Sequence, residues 1–141
     1  MFKKLLICLL PVIFIISYCF VSIEKSFAKS DKQIAVYYFY GKPRCDTCKK
    51  IEKYTREAVS ENFSKEIKSG KVYFQSIDMD KPENKHFVEN YKLYTKAVII
   101  SEKIKGKEIK YKNLDKIWTL VNNEKIFKSY IKKEIKSFLE E

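Results

Sequence analysis

A chain of 141 residues has room for one domain and a targeting segment. Its composition is 45% hydrophobic, 15% aromatic and 33% charged, with 3 Gly and 3 Pro. That excludes a disordered tail, a collagen-like repeat, a low-complexity linker and a multi-span membrane protein. The 29 basic against 18 acidic residues give a formal charge of +11, yet every basic residue except Arg44 and Arg56 is a lysine, spread along the chain among glutamates. Nucleic-acid sites lean on arginine, whose planar fork matches phosphate and guanine. The charge therefore reads as a solvated lysine surface, and no nucleic-acid partner is expected.

Lys3 and Lys4 precede an apolar run from Leu5 to Ile23, which is followed by Glu24, Lys25 and the small-x-small pattern Ser26-Phe27-Ala28. This is the grammar of a secretory signal peptide over 1–28, with cleavage after Ala28. The same run just reaches bilayer-spanning length, so an uncleaved anchor through residues 5–23 stays open. Bulky Tyr18 before Cys19 argues against lipid attachment there. In either case residues 29–141 are expected to form one extracytoplasmic domain, periplasmic or secreted, or held at the cytoplasmic membrane. Cys8 and Cys19 fall within the apolar segment, which leaves that domain with Cys45 and Cys48.

Ile34 to Tyr40 is a continuous apolar and aromatic run that stops at Gly41, the mark of a buried strand. Gly41-Lys42-Pro43-Arg44 is turn chemistry, and Pro43 keeps Lys42 out of the helical region, so the next helix starts no earlier than Arg44. From Cys45 to Lys68 apolar positions recur at three- and four-residue steps, predicting a helix that Gly70 terminates. Val72 to Met79 predicts a second strand, and Pro82 opens a helix running to about Tyr91. Ala97 to Ile100 predicts a third strand, with Lys105-Gly106-Lys107 as the hairpin tip before a fourth from Glu108 to Lys112. Leu114, Ile117, Trp118 and Val121 form one helical stripe. After a break at Asn122-Asn123, Ile126, Phe127, Tyr130, Ile131, Ile135, Phe138 and Leu139 form another.

Strand, helix, strand, helix, hairpin, helix predicts an α/β domain with a central mixed four-stranded sheet flanked by helices. A C-x-x-C at the first strand-to-helix turn of a βαβ unit reads as a thioredoxin-like fold. The spacing suits thiol–disulfide chemistry. Unpaired N–H groups and aligned peptide dipoles at a helix N-terminus stabilise a thiolate at Cys45, with Lys42 and Arg44 adding positive charge and Asp46 opposing it. Thr47 lies between the two cysteines and Pro43 shapes their approach. Cys48, one turn on and inside the helical stripe, is placed to resolve a mixed disulfide made by Cys45. A structural role is the weaker reading, because a bridge over so short a loop constrains little.

No resident cofactor is expected beyond the Cys45–Cys48 disulfide, since no glycine-rich phosphate loop occurs. A closed zinc site needs four ligands, and His86 is the sole histidine. Cuprous copper on Cys45 and Cys48 is the open alternative, because soft thiolates suit that ion. Asp78, Asp80 and Glu83 read as a turn leading into a helix. The expected partners are protein thiols or disulfides and a redox protein that renews the pair.

Tyr37-Tyr38-Phe39-Tyr40-Gly41, Arg44-Cys45-x-x-Cys48, Ile51-Glu52-x-Tyr54-Thr55, Glu83-Asn84-x-His86-Phe87 and Tyr91-x-Leu93-Tyr94-Thr95-Lys96 resemble the small exported nitrophenyl compound nitroreductase subunits of the ArsF family. The resemblance implies a thioredoxin fold and a dithiol site at Cys45 and Cys48. The nitroreductase name implies that such a chain supplies electrons to, or assembles, a partner carrying the flavin or metal that nitro reduction uses. Thioredoxins carry a cis-proline before the third strand; here Thr95 stands at the corresponding place.

Overall fold

The computed structural model describes residues 31–141. The stretch expected to be a signal or anchor, with Cys8 and Cys19, lies outside them. β1 (Lys32–Tyr40) leads into α1 (Asp46–Asn62) and the short α2 (Ser64–Lys68), then β2 (Val72–Asp78). A 3-10 turn (Pro82–Asn84) and α3 (Lys85–Asn90) follow, then the hairpin of β3 (Ala97–Ile104) and β4 (Lys107–Asn113). The chain closes with a single turn, α4 (Ile117–Leu120), and α5 (Glu124–Glu140). Among the described residues, no helix is long and apolar enough to cross a membrane.

The strands form one sheet in the order β2-β1-β3-β4. β1 runs parallel to β2, with Val36 opposite Phe74, and antiparallel to β3, with Val36 opposite Ile100. Its central place explains the unbroken apolar run, for both of its faces are covered. Ile34, Val36 and Tyr38 pack against α1 and α5 through Ile51, Ala58, Val59, Phe127, Ile131 and Ile135. Ala35, Tyr37 and Phe39 alternate to the other face, where they meet Ile77, Ile99, Phe87, Val88 and Tyr91. The predicted α/β architecture with a mixed four-stranded sheet is therefore what the chain adopts.

Four elements differ from expectation. The predicted helix from Cys45 to Lys68 is interrupted at Phe63, whose backbone leaves the helical region (φ −128°, ψ 32°) while its side chain is buried in the core. Core insertion of that ring outweighs one continuous helix, and Ile67 is left exposed. β3 runs four residues beyond Ile100 because buried polar groups find partners: Ser101 Oγ bonds Glu108, and Glu102 sits 3.5 Å from Lys32 and 3.4 Å from Lys110. Trp118 and Ile126, expected on apolar stripes, are exposed.

The ends of the elements follow local chemistry. Asn123 Oδ1 accepts the Ile126 N–H at 3.1 Å and starts α5. Lys105 and Gly106 both have positive φ and form the two-residue turn that fits a twisted hairpin. Gly70 (φ +71°) closes α2, with the Lys71 N–H on the Glu66 carbonyl and its own N–H on that of Ile67. An alanine at Gly70 must hold a left-handed backbone, and a loss of about 1 kcal/mol is expected in urea unfolding.

Candidate redox site

The site forms where β1 leaves the sheet. A Cβ at Gly41 would stand 3.0 Å from Asp80 Oδ1, so a side chain there would press on that carboxylate. The other oxygen of Asp80 accepts the Lys42 N–H at 2.7 Å. The Lys42–Pro43 peptide is cis, and the Pro43 carbonyl accepts a bond from Lys96 Nζ at 2.9 Å. One loop is thus fastened to the turn after β2 and to the segment entering β3. Asp78 and Asp80 do shape that turn, as expected: the Asp80 N–H donates to Asp78 Oδ1 at 3.1 Å. Asp80 additionally holds the loop in front of the cysteines.

Cys45 is the N-cap of α1, with an extended backbone and its sulfur 3.2 Å from the Cys48 N–H that donates to it. The two cysteines are joined as a disulfide, their Cα atoms 5.1 Å apart. Cys45 is exposed, whereas Cys48 is 1% exposed and lies on the inward stripe above Ile51. The helix therefore presents one cysteine to solvent and keeps the other behind it. Below the pair, the Tyr38 hydroxyl donates to the Cys48 carbonyl at 2.8 Å. Burial pushes the Tyr38 phenol up to about 12, against the opposing pull of Arg44, so it remains a neutral donor at neutral pH.

Asp46 and Arg44, on either side of Cys45, are both paired. Asp46 pairs with Lys49 across one turn at 3.2 Å. Arg44 lies over the Tyr40 ring at 4.4 Å and forms an ion pair with Glu52. Pro43, Thr47 and Thr95 are exposed. Lys96 brings the segment containing Thr95 to the cysteine loop through its contact with Pro43. Lys42, Pro43, Arg44, Asp46 and Thr47 thus flank the pair directly. Sequence reasoning did not reach Tyr38, Glu52, Asp80 and Lys96, and only the run Tyr38-x-Tyr40 beside a cysteine helix carried any local signal for them.

Among the described residues, no three His, Cys, Asp or Glu side chains gather as a metal site. His86 is exposed on α3, its Nδ1 2.9 Å from the Glu83 carbonyl.

The strand order and the bridge define an α/β domain with a disulfide-bonded cysteine pair at the start of its first helix. Its backbone is similar to solved structures of a malarial protein (13% identity, TM-score 0.39, 65% of this chain and 97% of the other) and of Fasciola hepatica thioredoxin (22%, 0.38, 65% and 81%). A thioredoxin from Thermus thermophilus is similar too (13%, 0.36, 64% and 72%). Likenesses this slight assign nothing, and the fold rests on its own strand order and register. No family model matches the chain, and no curated protein does.

Proposed function

We propose that this chain is an exported thioredoxin-like thiol–disulfide oxidoreductase. The observation that carries the reading is the asymmetry of the pair: an exposed Cys45 whose sulfur accepts the Cys48 N–H, with Cys48 buried one turn behind. In the reducing direction the Cys45 thiolate attacks one sulfur of a substrate disulfide, forming a mixed disulfide and releasing one substrate thiolate. Cys48 then gives up its proton and displaces the second substrate sulfur from Cys45. The substrate gains two electrons and two protons, and the chain is left with the Cys45–Cys48 disulfide described above. Run backwards, the same steps install a disulfide.

The expected substrates are protein disulfides, or protein thiols, outside the cytoplasmic membrane, and a separate redox protein restores the pair. A signal peptide or anchor over residues 1–28 supports that location. No other cofactor enters these steps. The nitroreductase-like resemblance fits the same chemistry, with this chain handing two electrons to a partner that holds the flavin or metal.

Equilibration with mixtures of reduced and oxidised glutathione tests the reading. Reversible interconversion of the Cys45–Cys48 pair is expected, with rapid exchange onto a protein disulfide. A pair that exchanges no faster than free glutathione, yet captures one cuprous ion tightly through both sulfurs, overturns it in favour of metal carriage.

A further inference from the structure

The carboxylate of Glu52 is more heavily engaged than an ordinary surface ion pair. Its side chain is 13% exposed, and donors reach it from three elements. Arg44 comes from the loop before α1, Arg56 from one turn further along α1 at 2.8 Å, and the Ser76 hydroxyl from β2 at 2.6 Å. Exposed pairs are weak because solvent competes for both ions, while a largely buried, multiply bonded carboxylate fixes what it touches. What it fixes here is the guanidinium of the residue next to Cys45. Arg44 is held between Glu52 and the Tyr40 ring, and Tyr40 in turn stacks on Tyr38, the donor to the Cys48 carbonyl.

We infer that Glu52 is a positioning residue for the dithiol, holding Arg44 and offsetting its charge so that the Cys45 thiolate is less stabilised than an unpaired arginine would make it. The inference rests on the redox reading of the pair. Its sign follows from the charges present. Two guanidinium groups share one carboxylate, so neutralising Glu52 leaves two unbalanced cations, Arg44 beside Cys45 and Arg56 about two turns along α1 from Cys48. Positive charge near a thiol favours its thiolate.

Other charged side chains lie around the cysteine loop. Lys42 lies in the same loop, Asp46 and Lys49 pair on α1, Asp80 reaches in from the turn after β2, and Lys96 from the segment entering β3. None of these is bonded to Glu52, so a change there leaves their contacts in place.

The test is the pH dependence of iodoacetamide alkylation at Cys45 in the reduced full-length chain. Mass spectrometry of the peptide carrying Cys45 separates its signal from Cys8 and Cys19. Glu52→Gln is expected to move the midpoint to lower pH by at least about half a unit, which is about a threefold gain in alkylation rate on the acid side. In the Arg44→Ala background the same substitution is expected to shift the midpoint by less than half as much. An unmoved midpoint in Glu52→Gln overturns the inference, and so does an equal shift with and without Arg44.

Glu52→Asp keeps the charge and serves as the conservative variant, with a midpoint expected closer to that of the parent. If Glu52→Gln does not fold, Arg44→Ala decides: removing the cation beside Cys45 while the Glu52 carboxylate stays is expected to raise the midpoint, and an unmoved midpoint overturns the inference. Alkylation reports on Cys45 whether or not the protein exchanges disulfides. A failed clamp therefore leaves the redox reading standing, and absent glutathione exchange with an intact Glu52 shift condemns the redox reading alone.

Discussion

Serine at Cys45 is expected to lower the rate of exchange with a protein disulfide by at least about a thousandfold, to the level of the background reaction. Serine at Cys48 is expected to leave the first attack intact and halt the reaction at the mixed disulfide. The difference follows from placement. Cys45 is exposed at the helix start, where the Cys48 N–H already points at its sulfur, and that donor stabilises a thiolate once the pair is reduced. Cys48 is buried and shielded from a protein substrate, but it stands one turn away from the Cys45 sulfur it must attack.

Without its thiol, nothing intramolecular releases the trapped partner, and the covalent adduct accumulates. The measurement is non-reducing electrophoresis and peptide mass spectrometry after mixing each reduced variant with a disulfide-bonded protein. Adduct on Cys45 in the Cys48→Ser chain, and none on Cys48 in the Cys45→Ser chain, is the expected pattern. The opposite pattern would exchange the two roles, and adduct in neither would end the catalytic reading.

Loss of the bridge itself is not expected to unfold the protein. Closing so short a loop contributes about 2 kcal/mol by chain entropy, and the sheet has two covered faces to hold it. Activity and stability are thereby separable: the double serine variant keeps its fold and loses its chemistry.

The sequence carried the frame of this site because the frame is local. Ile34 to Tyr40 is apolar on both faces, which marks a central strand, and the C-x-x-C follows it after a turn containing Gly41 and Pro43. The stripe from Phe127 to Phe138 marked α5 for the same reason, since three- and four-residue spacing records which face is buried. What surrounds the dithiol is not local. Asp80 binds the Lys42 backbone across 38 residues, Lys96 binds Pro43 across 53, and Ser76 binds Glu52 across 24. Each of these side chains, read alone, is an ordinary surface polar residue, and only the sheet brings them to one end.

The second half of β3 was hidden for a related reason. Ser101 and Glu102 read as a loop until Glu108, Lys32 and Lys110 are placed around them. The break at Phe63 has no local marker either, because its ring suits a helical stripe and a core insertion equally.

The aromatic core sets how the protein meets alkali. Burial pushes the phenols of Tyr37, Tyr38 and Tyr130 up to about 12, and raises that of Tyr91 further still beside the Glu108 carboxylate. An unfolded tyrosine loses its proton near pH 10. Above that pH the folded chain binds more protons than the unfolded one, so stability falls with rising pH. The tyrosine contribution is therefore complete below about pH 10 and is lost as pH climbs through 12.

Each two-unit displacement corresponds to about 2.7 kcal/mol. Halved for solvent screening, the three phenols near 12 together remove about 4 kcal/mol, comparable with the whole stability of a small domain. Lys110 and Lys128, held above the usual lysine range by their carboxylate partners, lose stabilising pairs in the same direction as pH rises, so the variant comparison matters. Urea midpoints are expected to drop steeply between pH 10 and 12, with a tyrosinate absorbance step that coincides with unfolding. Tyr38→Phe is expected to cost about 1 kcal/mol at pH 8, through its lost bond to the Cys48 carbonyl, and to show a shallower decline above pH 10. Equal alkaline slopes in the two proteins would mean that Tyr38 holds its proton no more tightly folded than unfolded.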